Sequence, residues 1–366
     1  MSSIYIGIMS GTSADAIDAC AVDFSKKRPL ILAKHTTQIH NDLQRRIIDL
    51  SQGEKVSARH FGELNQELSK KFSQCAEKLI SKRELRSKKI EAIGLAGQTV
   101  WHAPKDKNPF TMQLGDPNLI ASNNGVKVVS NFRNSHIALG GEGAPLTTYF
   151  HAELFGARKK RLILNLGGIA NITLLDRGTI LGTDIGPANA LIDIYCQKKL
   201  GIKFDKNGKL ASKGKVDNAS LKSMLKHSFF RKRYPKTTGK ELFNYDFIPK
   251  KLLAKNPSDC VATLNEFSAL IISKEINKIV DGPIEIYACG GGIYNTTLLN
   301  NLEGFLDHKI QSTNILGVDP DYLEAMTFAW LARNAIRRIK TKVFTSKGLV
   351  YGCLLYTSDA ADESVR

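Results

Sequence analysis

The sequence predicts an α/β protein built from two lobes. The 366-residue chain is longer than one hydrophobic core usually organises. Short β-prone runs that end in glycine-bearing turns alternate with segments whose apolar residues recur every three or four positions, as in amphipathic helices. This order restarts after the glycine-rich stretch 140–145. We therefore expect lobes at 1–135 and 136–344, with roughly 345–352 returning to the first.

The first lobe should open with a β-hairpin. Ile4–Met9 and Ala19–Phe24 are apolar and flank the polar turn Ser10–Ser13. Residues 42–80 carry the helical period, and 90–96 read as a buried strand before Gly97. The second lobe should repeat this plan, with strands at 162–166, 169–175, 181–184 and 284–288 and helices at 261–279 and 320–338.

Composition and charge exclude several classes of protein. Hydrophobic residues at 42% and charged residues at 24% are globular values, and no apolar run is long enough to span a membrane. The net charge of +17 is dispersed and lacks aromatic platforms, so we expect no nucleic-acid partner. The amino-terminal segment has no signal-peptide pattern, and the six cysteines form no C-x-x-C pair, so a cytoplasmic protein is expected.

The segment 353–366 differs from the rest of the chain. Its CLLYTSDAADE run resembles the conceptual translation of a transposase sequencing adapter. We therefore expect this tail to be an artefact and leave it out of the fold prediction.

Three turns carry residues suited to nucleotide chemistry. In 9–18, Gly11 permits close approach to phosphate, Thr12 and Ser13 offer hydroxyls, and Asp15 or Asp18 could hold Mg²⁺ through water, although a plain polar turn fits equally. In 182–189, Asp184 follows a strand and is the candidate base, although a lone turn Asp is often structural. An adenine or ribose could lie flat against the backbone of Gly290–Gly292, but glycine turns are common.

Together these motifs resemble the anhydro-N-acetylmuramic acid kinase family of the actin/hexokinase/Hsp70-like superfamily. The similarity covers nearly all of 4–352. The runs that carry it, in chain order, are MSGTSADAID, GQTVWHAP, QLGDPNLIA, NFRNSHIALGGEGAPL, NLGGIANIT, GTDIGPANALID, PKTTGKELFN, ACGGGIYN and DYLEAMTFAWLA.

The resemblance implies a two-lobed actin/hexokinase-like (ribonuclease H-like) fold with a central ATP cleft, ATP and Mg²⁺ as cofactors, a homodimer and a small-molecule amino-sugar substrate. It implies that Asp184 activates water and that Gln98, Thr99 and Arg133 contact the sugar. It implies nucleotide binding by Gly11, Thr12, Ser13, Ala14, Asp15, Ala16, Ile17, Asp18, Gly186, Asn189, Gly290, Gly291, Gly292 and Glu324.

The chain departs from the family pattern at five positions. Ala16 and Ala188 stand where glycine is usual, which should stiffen the phosphate loops, while Ala96, Asn131 and His136 put sugar recognition in doubt. A kinase of the same superfamily that acts on another sugar or a carboxylate therefore remains an alternative. So does an actin- or Hsp70-like ATPase module, although we expect no separate substrate-binding domain after the two lobes.

Overall fold

The computed structural model describes residues 3–156, 158–345, 348–352 and 357–358, with side chains up to Thr341. The chain forms two compact units. One comprises the chain up to Leu154 and the segment from Tyr322 onward, and the other runs from Phe155 to Asp321. Among the described residues, no helix is long and apolar enough to cross a membrane.

The first unit is built on a six-stranded mixed sheet in the order β15-β7-β4-β1-β2-β3. β1, β2 and β3 form an antiparallel meander, and β4 and β7 run parallel to β1. A separate hairpin, β5–β6, follows β4, and β13–β14 form another. The strands are β1 Ile4–Ser10, β2 Ala16–Asp23, β3 Leu30–Gln38, β4 Ile90–Leu95, β5 Gln98–Ala103, β6 Phe110–Leu114, β7 Val128–Val129, β13 Thr341–Thr345, β14 Gly348–Gly352 and β15 Thr357–Ser358.

Helices flank this sheet. Their bounds are α1 Asn41–Ser51, α2 Ala58–Ile80, α3 Pro117–Asn124, α4 Phe132–Ala138, α5 Thr147–Phe155 and α11 Leu323–Ile336. α11 packs directly on β1 and β4, because Gly7 and Gly94 have no side chain to hold it away. A Cβ on Gly7 would stand 1.8 Å from the carbonyl oxygen of Ala325. The sheet and α11 are thus in backbone contact.

The second unit repeats this topology. Its five-stranded sheet has the order β10-β9-β8-β11-β12, with an antiparallel β8–β9–β10 meander and β11 and β12 parallel to β8. The strands are β8 Arg161–Leu166, β9 Ile169–Asp176, β10 Thr179–Pro187, β11 Glu285–Cys289 and β12 Ile310–Ser312. The helices are α6 Ala190–Tyr195, α7 Asn218–Leu225, α8 Lys250–Leu253, α9 Pro257–Ile279 and α10 Thr296–Leu306.

Two copies of one meander followed by two parallel strands confirm the predicted actin/hexokinase-like, ribonuclease H-like fold class. The predicted hairpins and helices are present, with ends that differ by a few residues.

The division between the units differs from the predicted boundary at residue 135. Residues 136–154 and 322–344 group with the first unit, because α11 packs on β1 and β4 of its sheet and Phe150 of α5 packs on Trp330 of α11. Most of the predicted artefact tail, 353–366, lies outside the described residues. Within that tail, the backbone of Thr357–Ser358 pairs with Val128–Val129.

Candidate functional site

The predicted phosphate loop joins β1 to β2 and is shorter than the motif that predicted it. Met9 pairs with Asp18 and Ser10 with Ile17, so Ala16, Ile17 and Asp18 lie on β2. The side chain of Ile17 is buried in the core of the first unit. The loop itself is therefore 11–15, in which Thr12 is exposed.

Hydrogen bonds hold this loop in one conformation. The amide of Ala14, whose φ is 50°, donates to the carbonyl of Gly11 at 3.0 Å. The Ser13 hydroxyl donates to Asp15, and Gln44 of α1 donates to the Ser13 carbonyl at 2.9 Å. Apart from its chain neighbours, the nearest described atom to a Cβ on Gly11 would be the Ser13 hydroxyl, at 3.9 Å. The loop is fixed, yet the space beside Gly11 is open.

Two carboxylates of the first unit influence each other. Burial raises the pKa of Glu324, in the first turn of α11; nearby Asp18 raises it further, and Arg133 partly offsets both. Asp18 accepts a hydrogen bond from Thr36 at 2.7 Å. The described residues contain no cluster of three or more metal-ligating side chains. Two carboxylates do fit Mg²⁺, which commonly binds one or two of them together with waters and substrate phosphates.

A cleft of about 290 Å³ opens in the first unit beyond the ends of β4 and β7. The described residues that line it carry amide and hydroxyl groups and no ionisable side chain. The lining residues are Leu95, Ala96, Gly97, Gln113, Gly115, Pro117, Asn118, Ser130, Asn131 and Asn134. Such walls can exchange hydrogen bonds with the hydroxyl and amide groups of a neutral ligand.

The residues predicted to contact the sugar are near the lining residues of this cleft in sequence, but they are not among them. Gln98 is buried, donates to the Thr99 carbonyl at 3.1 Å, and its Oε1 finds no partner among the described residues. Thr99 accepts from Gln113, a lining residue, at 3.3 Å. Arg133 donates to the Gly143 carbonyl at 3.0 Å. Thr99 therefore reaches the cleft wall through Gln113.

In the second unit, Asp184 lies at a β-bulge. Its pairing with Asn171 is regular, but the register shifts between Asp184 and Gly186. Asp184 is 6% exposed, and its Oδ2 accepts a hydrogen bond from the amide of Thr238 at 3.0 Å. Bulges often redirect a side chain beside an active site. A buried carboxylate oriented by a backbone amide is suited to accepting a proton.

The four glycines of the second unit that are predicted to bind nucleotide differ in the space beside their Cβ positions. Gly186, φ 150°, faces the core, because a Cβ there would stand 3.3 Å from Phe230. Cβ atoms on Gly290 and Gly292 would stand 2.4 Å from the Asn165 side chain and 2.6 Å from Leu166. Gly291 is exposed, and no described atom lies within 4 Å of its Cβ position. Only Gly291 of these four has open space beside it.

Asn189 belongs to a chain of amides in the second unit. Its Nδ2 donates to the Gly167 carbonyl at 3.0 Å, and its Oδ1 accepts from Asn295 at 3.4 Å. Asn295 in turn accepts from Asn265 at 3.3 Å and caps α10 through the Leu298 amide. The Asn189 side chain thus ties the turn between β8 and β9 to the start of α10.

Comparison with known proteins reveals the family. The family model for anhydro-N-acetylmuramic acid kinase matches residues 3–356. The chain belongs to the anhydro-N-acetylmuramic acid kinase family. It is 41% identical to the enzyme of that name from Gamma-proteobacterium EBAC31A08, over 96% of this chain and 97% of that one. It is 37% identical to that of Vibrio vulnificus, over 93% and 94%.

A solved structure also resembles the chain. It is the activator of the 2-hydroxyisocaproyl-CoA dehydratase from Clostridium difficile with bound ADPNP. It has 14% identity, covers 92% of this chain and 96% of its own, and gives a TM-score of 0.49.

The departures from the pattern of anhydro-N-acetylmuramic acid kinases occupy different environments. Ala96 and Asn131 line the cleft of the first unit. His136 is buried, accepts from the Gly143 amide at 3.1 Å and contacts Tyr149 OH at 3.2 Å, so it fixes the loop after α4. Ala188 is buried, and its carbonyl accepts from Ser268 at 2.7 Å.

Sequence reasoning gave no role to two residues that contact the Asp184 segment. Lys236 and Thr238 lie in the PKTTGKELFN run, whose residues indicate the family and no chemical role. The Thr238 hydroxyl is buried and finds no partner among the described residues. The family resemblance of this run was the available signal, but the periodicity of the sequence does not place the run beside β10.

Proposed function

We propose that the protein is an ATP-dependent kinase that opens 1,6-anhydro-N-acetylmuramic acid with water and phosphorylates O6. The products are N-acetylmuramic acid 6-phosphate and ADP, in the recycling of cell-wall sugars. The family match across 3–356 supports the substrate, and the buried Asp184 carboxylate at the β10 bulge is the observation that carries the chemistry.

Asp184 acts as the general base in this proposal. Its carboxylate accepts a proton from water while the water oxygen forms a bond to the anomeric carbon. The bond between that carbon and O6 breaks, and O6 takes the γ-phosphoryl group as ADP leaves. The Thr238 amide, 3.0 Å from Oδ2, keeps the carboxylate oriented.

The phosphates of ATP are assigned to the loop 11–15. Open space beside Gly11 allows a phosphate oxygen to reach the backbone amides, and the Thr12 hydroxyl is exposed for donation. Asp18 and Glu324 would hold Mg²⁺, whose charge would neutralise phosphate oxygens. Gly291 is the glycine of 290–292 with room for the adenosine.

The sugar is assigned to the first-unit cleft together with Gln98, Thr99 and Arg133. The unpartnered Gln98 Oε1 and the amides of Gln113, Asn118 and Asn134 suit hydroxyl and acetamido groups. Ala96 and Asn131 in the wall support keeping a related sugar as a second candidate substrate.

We propose a cytoplasmic homodimer as well. The five cysteines in the described part of the chain are buried free thiols, as expected in a reducing compartment. Sedimentation velocity should give one species of twice the chain mass, and a single monomeric species would contradict the dimer.

The decisive experiment uses oxygen-18 water with ATP, Mg²⁺ and the anhydro sugar. When the product is trapped early by borohydride reduction, it should carry one oxygen-18 atom on the anomeric carbon and none in the phosphate. Label in inorganic phosphate with an unchanged sugar would instead identify an ATPase. Asp184→Asn should lower turnover by about two to four orders of magnitude while ATP binding persists, and native-like turnover would refute the base assignment.

A further inference from the structure

The segment Tyr234–Thr238 is bound along the end of β10 by both its backbone and its side chains. The amide of Asp184 donates to the Lys236 carbonyl at 3.0 Å, and the Lys236 amide donates to the Thr183 hydroxyl at 2.9 Å. The Thr238 amide donates to the Asp184 carboxylate at 3.0 Å. The main chain and the carboxylate of Asp184 are therefore both held by this one segment.

A buried ion pair fixes the segment to α9. Lys236 is 2% exposed and pairs with Glu275, which is fully buried in α9. The Lys236 ammonium lies 4.6 Å from the ring centre of Phe229 and 4.9 Å from that of Tyr234. Tyr234 also donates its hydroxyl to Glu275 at 2.8 Å. Such a pair is weak evidence for stability, but it permits few geometries once formed.

The ammonium group of Lys236 is not placed to bind a phosphate. It is enclosed by aromatic rings and bound to Glu275, and burial lowers the pKa of Lys236. The Lys236 side chain therefore interacts with the core of the second unit, whereas its backbone interacts with Asp184.

We propose that Tyr234–Thr238 is the positioning element of Asp184, linked to β10 by the Thr183 hydroxyl and anchored on Glu275 by Lys236 and Tyr234 together. The inference rests on the proposed role of Asp184 as base. Proton transfer needs the base within hydrogen-bond reach of the water, and a misplacement of about 1 Å can cost about 100-fold in rate. The segment thus acts through Asp184 without touching substrate.

Thr183 provides a matched pair of variants. Thr183→Val keeps the side-chain volume but removes the hydroxyl, whereas Thr183→Ser keeps the hydroxyl and loses a methyl group. Both should lose some thermal stability, because Thr183 is fully buried. We expect Thr183→Val to lower kcat about 10- to 100-fold per folded molecule, with KM for ATP within about twofold of native. Thr183→Ser should restore kcat to within about threefold of native.

The result that overturns the proposal is equal kcat for the two variants, or kcat that follows the melting temperature and not the hydroxyl. Should Thr183→Val not fold, Tyr234→Phe decides, since it removes only the donation to Glu275. A native kcat for Tyr234→Phe would then refute the anchor, and a lowered kcat with unchanged KM would support it. Failure of the base assignment is seen separately, as native-like turnover of Asp184→Asn.

Discussion

Gly11→Ala tests the phosphate loop with the smallest possible change. The substitution adds one methyl group at a position where, apart from its chain neighbours, the nearest described atom is the Ser13 hydroxyl at 3.9 Å. That distance is ordinary van der Waals contact, and the backbone of Gly11 does not lie in the left-handed region. The fold of the free protein should therefore accept alanine here.

The expected magnitudes follow from this geometry. Stability should stay level or rise by about 0.4–1 kcal/mol, because alanine restricts the unfolded chain more than glycine does. If a phosphate oxygen reaches the Gly11 amide, the methyl group blocks that approach and removes a hydrogen bond to a charged group, about 1.5–3 kcal/mol. That loss corresponds to a Kd for ATP roughly 10- to 150-fold weaker.

Calorimetric titration with a non-hydrolysable ATP analogue measures the affinity, and thermal melting measures the stability. Gly7→Ala is the matched control, because its Cβ would stand 1.8 Å from the Ala325 carbonyl oxygen and should destabilise the first unit severely. An unchanged Kd for Gly11→Ala would refute the placement of phosphate at this loop. A marked drop in its melting temperature would refute the packing argument.

Two further predictions concern the other candidate nucleotide and metal contacts. Gly291→Ala should weaken ATP binding with stability near native, whereas Gly292→Ala should lower the melting temperature because its Cβ meets Leu166 at 2.6 Å; equal melting temperatures would contradict the distinction. Burial raises the pKa of Glu324, so the folded state binds its proton more tightly than the unfolded state, and this contribution to stability is lost as pH rises above 4.5. Glu324→Gln should therefore make the free energy of unfolding, measured in urea, depend less on pH between pH 4.5 and neutrality. It should also reduce the stabilisation that added Mg²⁺ gives native protein. Equal slopes of unfolding free energy against pH for the two proteins would contradict this.

Much of the fold could be predicted because its central elements carry strong local signals. Ile6, Ile8 and Leu164 belong to continuous buried runs that end at glycine turns. The sequence does not predict β3, because polar residues such as Lys34 and His35 are mixed with the apolar residues of this strand. Such a composition suits a strand at the edge of a sheet. The sequence does not predict the β5–β6 hairpin, because the large apolar side chain of Trp101 stays partly exposed and does not mark a buried face.

The sequence predicts only those parts of the candidate site that are formed by residues adjacent in the chain. Asp184 and the Gly11 loop are visible because each follows a β-prone run and lies beside a glycine in the sequence, although the structure places Asp184 within β10, which continues to Pro187. The Lys236–Glu275 pair joins residues 39 positions apart, and neither periodicity nor turn chemistry specifies that contact. Ile17 was included in the phosphate loop because the sequence does not show where β2 begins.

Gly186 shows how a glycine next to a candidate base can serve geometry instead of ligand binding. Its φ of 150° is rarely adopted by other residues, and a Cβ would press on Phe230 at 3.3 Å and Ile271 at 3.4 Å. Because Gly186 follows the bulge at Asp184, relief of that contact would move the base as well. Gly186→Ala should therefore cost about 1–3 kcal/mol in urea unfolding and lower kcat, with Kd for ATP within about twofold of native. A nucleotide contact at Gly186 would give the opposite pattern, a weakened Kd with stability preserved.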